Sequence, residues 1–311
     1  MAGTPYFSVV MPVYNGQAYV SSAIESVLKQ TDPDWEFIIV DDCSLDQTPE
    51  ILNQFAKKDL RIRIFRNQQN RNIAPSLNRG IKEARGRLIV RIDADDFFKP
   101  TYLEILREYT EKKADENSFF SSWITVVDEA GQKILDVRLP DAETIRRMMK
   151  IENFLYHPAT SFSKKLWEKV GGYPEKDRTI AEDTALWTKF IEAGATLVMI
   201  PYFLMNYRLH YSNITSINDA KLFRESDSAD CETIRQNREW RVSLYLKQKM
   251  LGPARTEILM LGKSQKRLSL KNIQYFLLTF LPKSFVYYYM WEFRPRLRAL
   301  LKNLRGREVR V

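Results

Sequence analysis

The N-terminal third of the chain alternates between short apolar runs and amphipathic stretches, and this alternation constrains the fold more than any other feature. Four apolar, β-branched runs predict strands: FSVVMPVYN, WEFIIVD, RIRIF and GRLIVRID. Between them, apolar residues recur at helical spacing in QAYVSSAIESVLKQ, around Ile51, Leu52 and Phe55, and in APSLNRGIKEA. Such alternation predicts an α/β fold, with a mainly parallel twisted sheet flanked by helices.

Three of these predicted strands end in polar clusters. The clusters are PVYN, DDCS and DADD, at residues 12–15, 41–44 and 93–96. In parallel α/β sheets, ligands bind at the carboxyl ends of the strands. The three clusters are therefore expected to meet at one rim of the sheet and to form a binding site there.

Asp93 and Asp95 give the third cluster its chemical character. Residues two apart on an extended segment share a face, so both carboxylates can point into one cleft. Their mutual repulsion is costly unless a cation offsets it, and Mn²⁺ and Mg²⁺ prefer carboxylate and phosphate oxygens. One interpretation is a divalent ion that binds a diphosphate. The other is a solvated turn that caps a helix starting near Pro100.

Six stretches, in chain order, resemble the motifs of inverting family 2 glycosyltransferases with the GT-A fold, of the bacterial surface-polysaccharide type. They are VVMPVYN, IIVDDCSLDQT, LNRGIKEARGRLIVRIDADDFFKP, HPATSFSK with GGYPE, AEDTALWTKF and YRLHYSNIT, between Phe7 and Thr215. The resemblance implies a hexosyl- or N-acetylhexosaminyl-transferase. Its donor is expected to be a nucleotide-diphosphate sugar with uridine as the nucleoside, although guanosine or thymidine donors occur in related enzymes. Its acceptor is expected to be a hydroxyl of a glycan or lipid-linked oligosaccharide.

The resemblance assigns the nucleotide pocket to residues of the first two clusters and the loop beyond them. Pro12 and Tyr14 are expected to line the pocket, although a plain turn is the alternative for both. Asp41 is expected to accept a hydrogen bond from the uracil edge, and Asp42 to support its loop. Arg71 lies near the family's basic residue that contacts the base or the phosphates.

The resemblance also assigns the cofactor, Mn²⁺ or Mg²⁺, to the DADD cluster. Asp95 corresponds to the metal-binding member of the family's DxD motif, and Asp93 to the ribose-side member, close enough to be a second ligand. Asp96 is expected to be structural. His210, in YRLH, corresponds to a residue that closes over the metal or the diphosphate, and is the third candidate ligand.

Asp183 is the expected catalytic base, because an inverting transfer needs one carboxylate to take the proton of the acceptor hydroxyl. Glu182 beside it is expected to contact the nucleotide sugar. The helix dipole favours acidic residues at a helix start, which is the alternative explanation for this pair. His157, in HPAT, is expected to be a pocket wall or an acceptor-side residue.

The chain departs from the family pattern at two places. Cys43 stands where many members have glycine, so the backbone there must tolerate a side chain. The QxxRW motif of the processive members is only approximated by QNREW, at residues 236–240. We therefore expect one sugar, or a few, to be added to each acceptor.

The positive charge of the chain is concentrated near its C-terminus. Residues 234–311 contain 18 Lys and Arg against 4 Asp and Glu, which leaves 30 of the 48 basic and 35 of the 39 acidic residues for the rest. We expect a catalytic domain over residues 1–218 and a basic, aromatic-rich helical region over 219–311. That region is expected either to bind an anionic membrane surface or to pack on the catalytic domain.

Other classes of function fit the sequence less well. Nucleic acid is not expected as a partner, because no known nucleic-acid module is present and the body is acidic. A sugar-phosphate nucleotidyltransferase would need a glycine-rich basic loop near the N-terminus, and a dinucleotide oxidoreductase a GxGxxG motif. An inactive GT-A-like scaffold is the remaining alternative, although the candidate catalytic carboxylates are intact.

The expected location is the cytoplasm, or the inner face of the cell membrane as a peripheral protein. Two cysteines, Cys43 and Cys231, cannot form a disulfide framework. We also expect no secretory signal, because the apolar run at the N-terminus is short and contains Pro12.

Overall fold

The computed structural model describes residues 3–113, 116–149, 153, 155–175, 181–208 and 210. The chain divides into two compact units, Met1–Leu209 and His210–Val311. The fold and the contacts below belong to the first unit. The predicted boundary at residue 218 and the basic region 219–311 lie outside the described residues. In the part of the chain that is described, no helix is long and apolar enough to cross a membrane.

The first four strands and three helices form as the sequence predicts. They are β1 (Phe7–Val13), α1 (Val20–Leu28), β2 (Trp35–Asp41), α2 (Thr48–Lys58), β3 (Ile62–Arg66), α3 (Ile73–Glu83) and β4 (Leu88–Arg91). The strands are parallel and lie in the order β3-β2-β1-β4. All seven residues of β2 are buried, as expected for a strand covered on both faces. Parallel pairing brings the polar ends of β1, β2 and β4 to one rim.

The second half of the unit extends this sheet with strands of both directions. Its elements are β5 (Phe97–Phe98), α4 (Tyr102–Lys113), β6 (Ser118–Val127), β7 (Lys133–Val137), α5 (Ala142–Met148), a 3₁₀ turn (His157–Ala159), β8 (Thr160–Ser163), α6 (Lys164–Lys169), α7 (Glu182–Glu192) and β9 (Thr196–Arg208). The order continues from β4 as β8-β6-β9-β5, with β7 on β6. β8 is antiparallel to both β4 and β6, so the described sheet is parallel at one end and mixed at the other.

The strand β9 contains Pro201 in its interior and still runs without interruption for 13 residues. Its pairing with β6 shifts register beside the proline: Ile200 pairs with Ser122, and the next pair is Phe203 with Trp123. Because Pro201 lies in this bulge, its missing N–H removes no bond from the ladder.

An aromatic cluster fixes helix α7 against the sheet. Trp187 and Phe190 are fully buried and pack on Phe119 of β6 and Phe162 of β8, with ring centroids 5.3–6.0 Å apart. Burying four large aromatic side chains provides both apolar area and specific ring geometry. The cluster therefore sets the position of the helix that begins with Glu182 and Asp183.

Candidate active site

Asp42 connects two loops at the rim of the sheet. Its buried carboxylate accepts hydrogen bonds from the Asn67 side chain at 2.6 Å and from the backbone N–H groups of Arg71 and Asn72 at 2.9 and 2.8 Å. Both oxygens are used within the protein, so this carboxylate orders the loop before α3. The expected role of Asp42 is to support the loop of Asp41 itself, and that role stays a prediction.

Asp41 presents a different arrangement. Its Oδ1 accepts a hydrogen bond from the Ser44 backbone N–H at 2.9 Å. Its Oδ2 is buried and has no hydrogen-bond partner within the described structure, although Arg66 Nε lies 3.4 Å away. A buried acceptor without a donor is costly, and a ligand N–H would satisfy it. Recognition of a nucleobase edge by Asp41 stays a prediction.

Arg66 is a rim residue that sequence reasoning missed. It ends β3, and its Nη2 donates to the Ser44 carbonyl at 2.9 Å while its Nε pairs with Asp41. About half of its side chain is exposed. Only the register between β2 and β3 indicates this residue, because Arg66 pairs with Asp41 in the parallel ladder.

The backbone of the rim is left-handed at three non-glycine residues. Among the described residues, Asn15, Cys43 and Asn72 have φ values of 51°, 67° and 71°. All three lie in loops that follow the parallel strands at their carboxyl ends. The value at Cys43 explains why glycine suits this position, because a side chain in the left-handed region is strained.

Three other predicted pocket residues lie at the same rim with fewer contacts. Pro12 is half-buried in β1, and Tyr14 just beyond it is 47% exposed. Arg71 is also half-exposed, and its Nη2 lies 3.6 Å from Glu175 Oε2. The contacts of these residues leave their nucleotide-binding roles as predictions.

The acidic turn, Asp93–Asp96, brings three carboxylates together. One oxygen from each of Asp93, Asp95 and Asp96 lies within 4.8 Å of the others. Asp96 is buried: its Oδ1 accepts from the backbone N–H of Arg208 at 2.8 Å, and its Oδ2 has no hydrogen-bond partner among the residues described. The bond to Arg208 agrees with a structural place for Asp96, and its carboxylate also lies within the group of three that could hold a metal ion. An all-oxygen set of this kind fits Mg²⁺ or Mn²⁺.

Burial affects the charge of these aspartates. It raises the pKa of Asp93 to about 6, with Arg91 lowering it and Asp95 raising it further. It raises the pKa of Asp96 well above the usual value, and the charges of Asp95 and Asp93 act in the same direction. A divalent ion would favour the ionised forms of these carboxylates.

Arg91 is the second residue that sequence reasoning missed. It is the last residue of β4 and is 2% exposed. Its Nη1 donates to Asp93 Oδ2 at 2.6 Å, and its Nη2 donates to Asp93 Oδ1. The signal in the sequence was a basic residue inside an apolar strand, because such a residue is almost never buried unless it is paired.

The candidate base lies at the start of α7. Asp183 is half-buried, and its Oδ2 accepts a hydrogen bond from Asn153 Nδ2 at 2.9 Å. Burial raises the pKa of the neighbouring Glu182, a hydrogen bond from its own backbone lowers it, and the charge of Asp183 raises it further. The hydrogen bond from Asn153 orients the Asp183 carboxylate, which is expected to take the proton of the acceptor hydroxyl.

His157 lies behind Glu182 instead of facing open solvent. The ring is 8% exposed, its Nε2 is hydrogen-bonded to the Tyr173 hydroxyl at 2.8 Å, and its Nδ1 is 3.8 Å from Glu182 Oε1. Burial lowers the pKa of His157 well below its usual value, and Arg91 lowers it further. The imidazole is therefore neutral, and its expected role as a pocket wall or an acceptor-side residue stays a prediction.

Electrostatic interactions connect the acidic turn with the start of α7. Burial raises the pKa of the Tyr173 hydroxyl, Arg91 lowers it, and the charges of Asp183, Glu182 and Asp93 raise it. The charges of carboxylates in both places therefore affect the pKa of the Tyr173 hydroxyl. His210 is the first residue of the second unit, so its place at the metal stays a prediction.

Comparison with proteins of known structure supports the fold. The first 349 residues of TarS from S. aureus, solved in complex with UDP-GlcNAc, match with a TM-score of 0.55 and 17% identity. The match covers 88% of this chain and 90% of that one. The same fragment in complex with UDP matches with a TM-score of 0.54. The expected GT-A fold is confirmed.

Comparison of sequences gives relatives at higher identity. TuaG of Bacillus subtilis, named for teichuronic acid biosynthesis, is 30% identical over 68% of this chain and 82% of its own length. An uncharacterised glycosyltransferase of Methanocaldococcus jannaschii is 32% identical over 66% of this chain and 71% of its own. A UDP-Gal:alpha-D-GlcNAc-diphosphoundecaprenol beta-1,3-galactosyltransferase of Escherichia coli is 28% identical over 66% of this chain and 74% of its own.

The model of the family described as "Glycosyl transferase family 2" matches residues 8–171, more than half of the chain. These residues include the acidic turn and the loops of Asp41 and Asp42. The relatives extend the similarity to about two thirds of the chain. The chain is a sugar-transferring enzyme, and it belongs to glycosyl transferase family 2.

Proposed function

We propose that the enzyme is a metal-dependent, inverting glycosyltransferase that uses a UDP-sugar donor. The acidic turn supports this proposal most strongly, because it combines three close carboxylates with a buried oxygen that has no partner in the described structure. The Oδ2 of Asp41, which accepts no hydrogen bond among the described residues and has only the ion pair with Arg66 beside it, supports uracil as the base. The TarS fragments similar in fold were solved with UDP and with UDP-GlcNAc, which agrees with the same choice of donor.

In this proposal, residues of all three rim loops hold the donor. Asp41 accepts from the uracil ring, and Pro12 and Tyr14 line the pocket beside it. Arg71 contacts the base or the phosphates, and Asp93 contacts the ribose. Each role uses a group that the fold brings to the carboxyl edge of the parallel strands.

Asp95 and Asp93 are the proposed metal ligands, with His210 as a third. Imidazole is acceptable to Mn²⁺ and is a less natural ligand for Mg²⁺. A bound Mn²⁺ or Mg²⁺ would supply the positive charge that neutralises the leaving diphosphate. Asp96 keeps its structural bond to the Arg208 backbone and offers its second oxygen to the same site.

Asp183 acts as general base in the proposed transfer. A lone pair of the acceptor hydroxyl oxygen forms the new bond to the anomeric carbon, while the hydroxyl proton passes to Asp183. The bond between that carbon and the diphosphate oxygen breaks, and its electron pair leaves with UDP. Attack from the face opposite the diphosphate inverts the anomeric centre. Glu182 contacts the sugar from the same end of α7.

The proposed acceptor is a hydroxyl of a glycan or a lipid-linked oligosaccharide, as in bacterial surface-polysaccharide assembly. The name of the Escherichia coli relative includes a sugar linked to diphosphoundecaprenol, and this supports the same class of acceptor here. We propose a cytoplasmic location, with the basic region 219–311 meeting the anionic inner face of the membrane. Deletion from Asn272 onward is expected to release the protein from anionic liposomes, and unchanged binding would contradict the membrane role.

The decisive experiment is a panel of UDP-, GDP- and dTDP-sugars, each incubated with the enzyme in Mn²⁺ or EDTA while the released nucleotide diphosphate is measured. We expect turnover with a UDP-sugar that EDTA abolishes. Asp95→Asn is expected to remove Mn²⁺-dependent UDP binding. Binding of UDP without turnover of any sugar would favour an inactive scaffold. Pyrophosphate release from a sugar phosphate and a nucleoside triphosphate would favour a nucleotidyltransferase.

A further inference from the structure

Arg208 joins the acidic turn to two other parts of the fold. It is the last residue of β9, is 5% exposed, and has no role in the proposed transfer. Buried arginines are rare and need several partners, since each N–H group that leaves water must find an acceptor. The contacts of Arg208 show where those partners are.

Two of its contacts reach the acidic turn, one from the backbone and one from the side chain. The backbone N–H of Arg208 donates to Asp96 Oδ1 at 2.8 Å, and its side-chain Nε donates to the Asp95 carbonyl at 2.8 Å. The first bond fixes a carboxylate of the turn. The second fixes the peptide that follows the proposed metal ligand, so Asp95 is held by its main chain.

The two remaining nitrogens of the guanidinium bond to other elements. Nη1 donates to the Glu129 carbonyl, in the turn between β6 and β7, at 2.7 Å. Nη2 donates to Ser22 Oγ of α1 at 3.3 Å. The guanidinium carbon lies 4.9 Å from the Tyr19 ring and 5.1 Å from the Phe97 ring. The planar group is therefore fixed in direction by both hydrogen bonds and aromatic neighbours.

Arg208 and Arg91 approach the acidic turn by different routes. Arg91 binds the side chain of Asp93, whereas Arg208 binds the main chain of Asp95 and the side chain of Asp96. Arg91 therefore supplies a buried positive charge beside Asp93, and Arg208 fixes the main chain at Asp95 and the carboxylate of Asp96. Together these bonds help the turn to keep its shape before a cation arrives.

We propose that Arg208 is a positioning residue: it holds the Asp95 main chain so that the Asp95 carboxylate meets the divalent ion in the right geometry. This inference rests on the proposed metal dependence of the enzyme. Partners that orient metal ligands without touching the metal commonly change metal affinity when they are lost. The guanidinium fork is needed because it satisfies Asp95 and Glu129 together, which an ammonium group does less well.

The test compares Arg208→Gln and Arg208→Lys with a matched control, Arg107→Gln. Arg107 is partly buried, forms an ion pair with Asp32 and lies 4.0 Å from the centre of the Tyr6 ring. Asp32 and Tyr6 precede β2 and β1, so these contacts lie at the amino ends of the strands, away from the acidic turn. UDP affinity is measured by isothermal titration in Mn²⁺ and in EDTA, together with the melting temperature. In EDTA the affinity reports only the contacts to UDP that do not need the metal.

We expect Arg208→Gln to weaken UDP binding in Mn²⁺ about tenfold and to leave UDP binding in EDTA unchanged. Arg107→Gln is expected to lower the melting temperature while both affinities stay at the wild-type values. If Arg208→Gln does not fold, the test uses Arg208→Lys, which keeps the charge. This variant is expected to lose UDP affinity in Mn²⁺ but not in EDTA, with a smaller loss than Arg208→Gln.

Two results would overturn the inference. Equal losses in Mn²⁺ and in EDTA would mean a general structural role, and unchanged affinity in Mn²⁺ would mean no positioning role. Either result leaves the proposed function standing. A wild-type enzyme that binds UDP equally well in Mn²⁺ and in EDTA would instead contradict the proposed metal dependence, and this inference with it.

Discussion

Arg91 donates hydrogen bonds to both carboxylate oxygens of Asp93, across a single intervening residue. The arginine is 2% exposed on its side chain and the aspartate 26%, so the pair lies largely out of water. Because the pair occupies both oxygens of Asp93, that carboxylate is already oriented before any ligand binds. This orientation is compatible with the proposed contact of Asp93 to a ribose hydroxyl and with its proposed place beside Asp95 at the metal.

Removal of Arg91 should therefore be costly. We expect Arg91→Met to lower the free energy of unfolding by about 3 kcal/mol, because it leaves a mostly buried carboxylate without its partner. Urea unfolding measures the loss. The control is Lys29→Met, which breaks the exposed pair with Glu25 and is expected to cost less than about 1 kcal/mol. A loss for Arg91→Met as small as that of the control would show that the pair is not structurally important.

The pH dependence of stability should reveal the charge of Asp93 in metal-free protein. The pKa of Asp93 is about 6 in the folded protein, above the value of roughly 4 for a free aspartate. Between these values the folded state binds more protons than the unfolded state, so stability falls as the pH rises through this window. The raised pKa values of Asp96 and Glu182 act in the same direction.

Thermal melts in EDTA between about pH 4 and pH 6 measure this slope. Asp93→Asn is expected to reduce it, and Mn²⁺ is expected to reduce it in the wild type, because a cation favours the ionised carboxylates. A slope that Asp93→Asn leaves unchanged would assign the effect to other groups.

The assignment of Asp183 predicts a separation of binding from turnover. We expect Asp183→Asn to bind UDP in Mn²⁺ as the wild type does, and to lose about a hundredfold to ten-thousandfold in kcat, because a general base contributes that much. Glu192→Gln, at the exposed end of the same helix, is the control and is expected to keep full activity. Normal turnover by Asp183→Asn would show that another group takes the proton.

Two adjacent glycines offer a test of packing beside the site. Both have left-handed backbone, but a Cβ at Gly172 would lie 2.8 Å from the Trp167 ring and 2.9 Å from Asn78 Oδ1, whereas Gly171 has nothing within 4 Å. We expect Gly171→Ala to cost about 1 kcal/mol through backbone strain. We expect Gly172→Ala to cost about 3 kcal/mol, because overpacking is added to that strain.

Gly172→Ala should also reduce activity. Asn78 accepts from the Tyr173 backbone N–H at 2.9 Å and donates to the Tyr173 carbonyl at 2.9 Å, so displacing its side chain moves the residue beside His157. Melting temperature and kcat, compared between the two alanine variants, check both parts. Equal behaviour of the two variants would contradict the packing explanation.

The parallel half of the fold was predictable because its signals are local. Each strand of that half shows its apolar run within about ten residues, three of the four end in polar clusters, and the family motifs follow the same order. The grouping of Asp41, Asp93 and Asp95 at one rim follows from parallel pairing alone. The continuity of β9 was not predictable, because it depends on a bulge opposite β6, a strand more than 70 residues earlier.

The supporting residues of the site were missed for the same reason. Arg208 bonds to Ser22, 186 residues away, and Asn78 bonds to Tyr173, 95 residues away. No periodicity in a single sequence reports such pairs. Arg91 left a local signal, a charge inside an apolar strand, but its partner became clear only from the geometry of the turn.

The strand β8 has a consequence for how the protein is made. The residues Thr160–Ser163 pair with β4 on one side and with β6 on the other. This short strand therefore connects two strands of the sheet that are both synthesised before it. Until β8 emerges, β4 has an open edge that is able to pair with another chain. Nascent chains stalled before residue 160 should therefore need a chaperone, and the acidic turn can be completed only after β9 has left the exit tunnel.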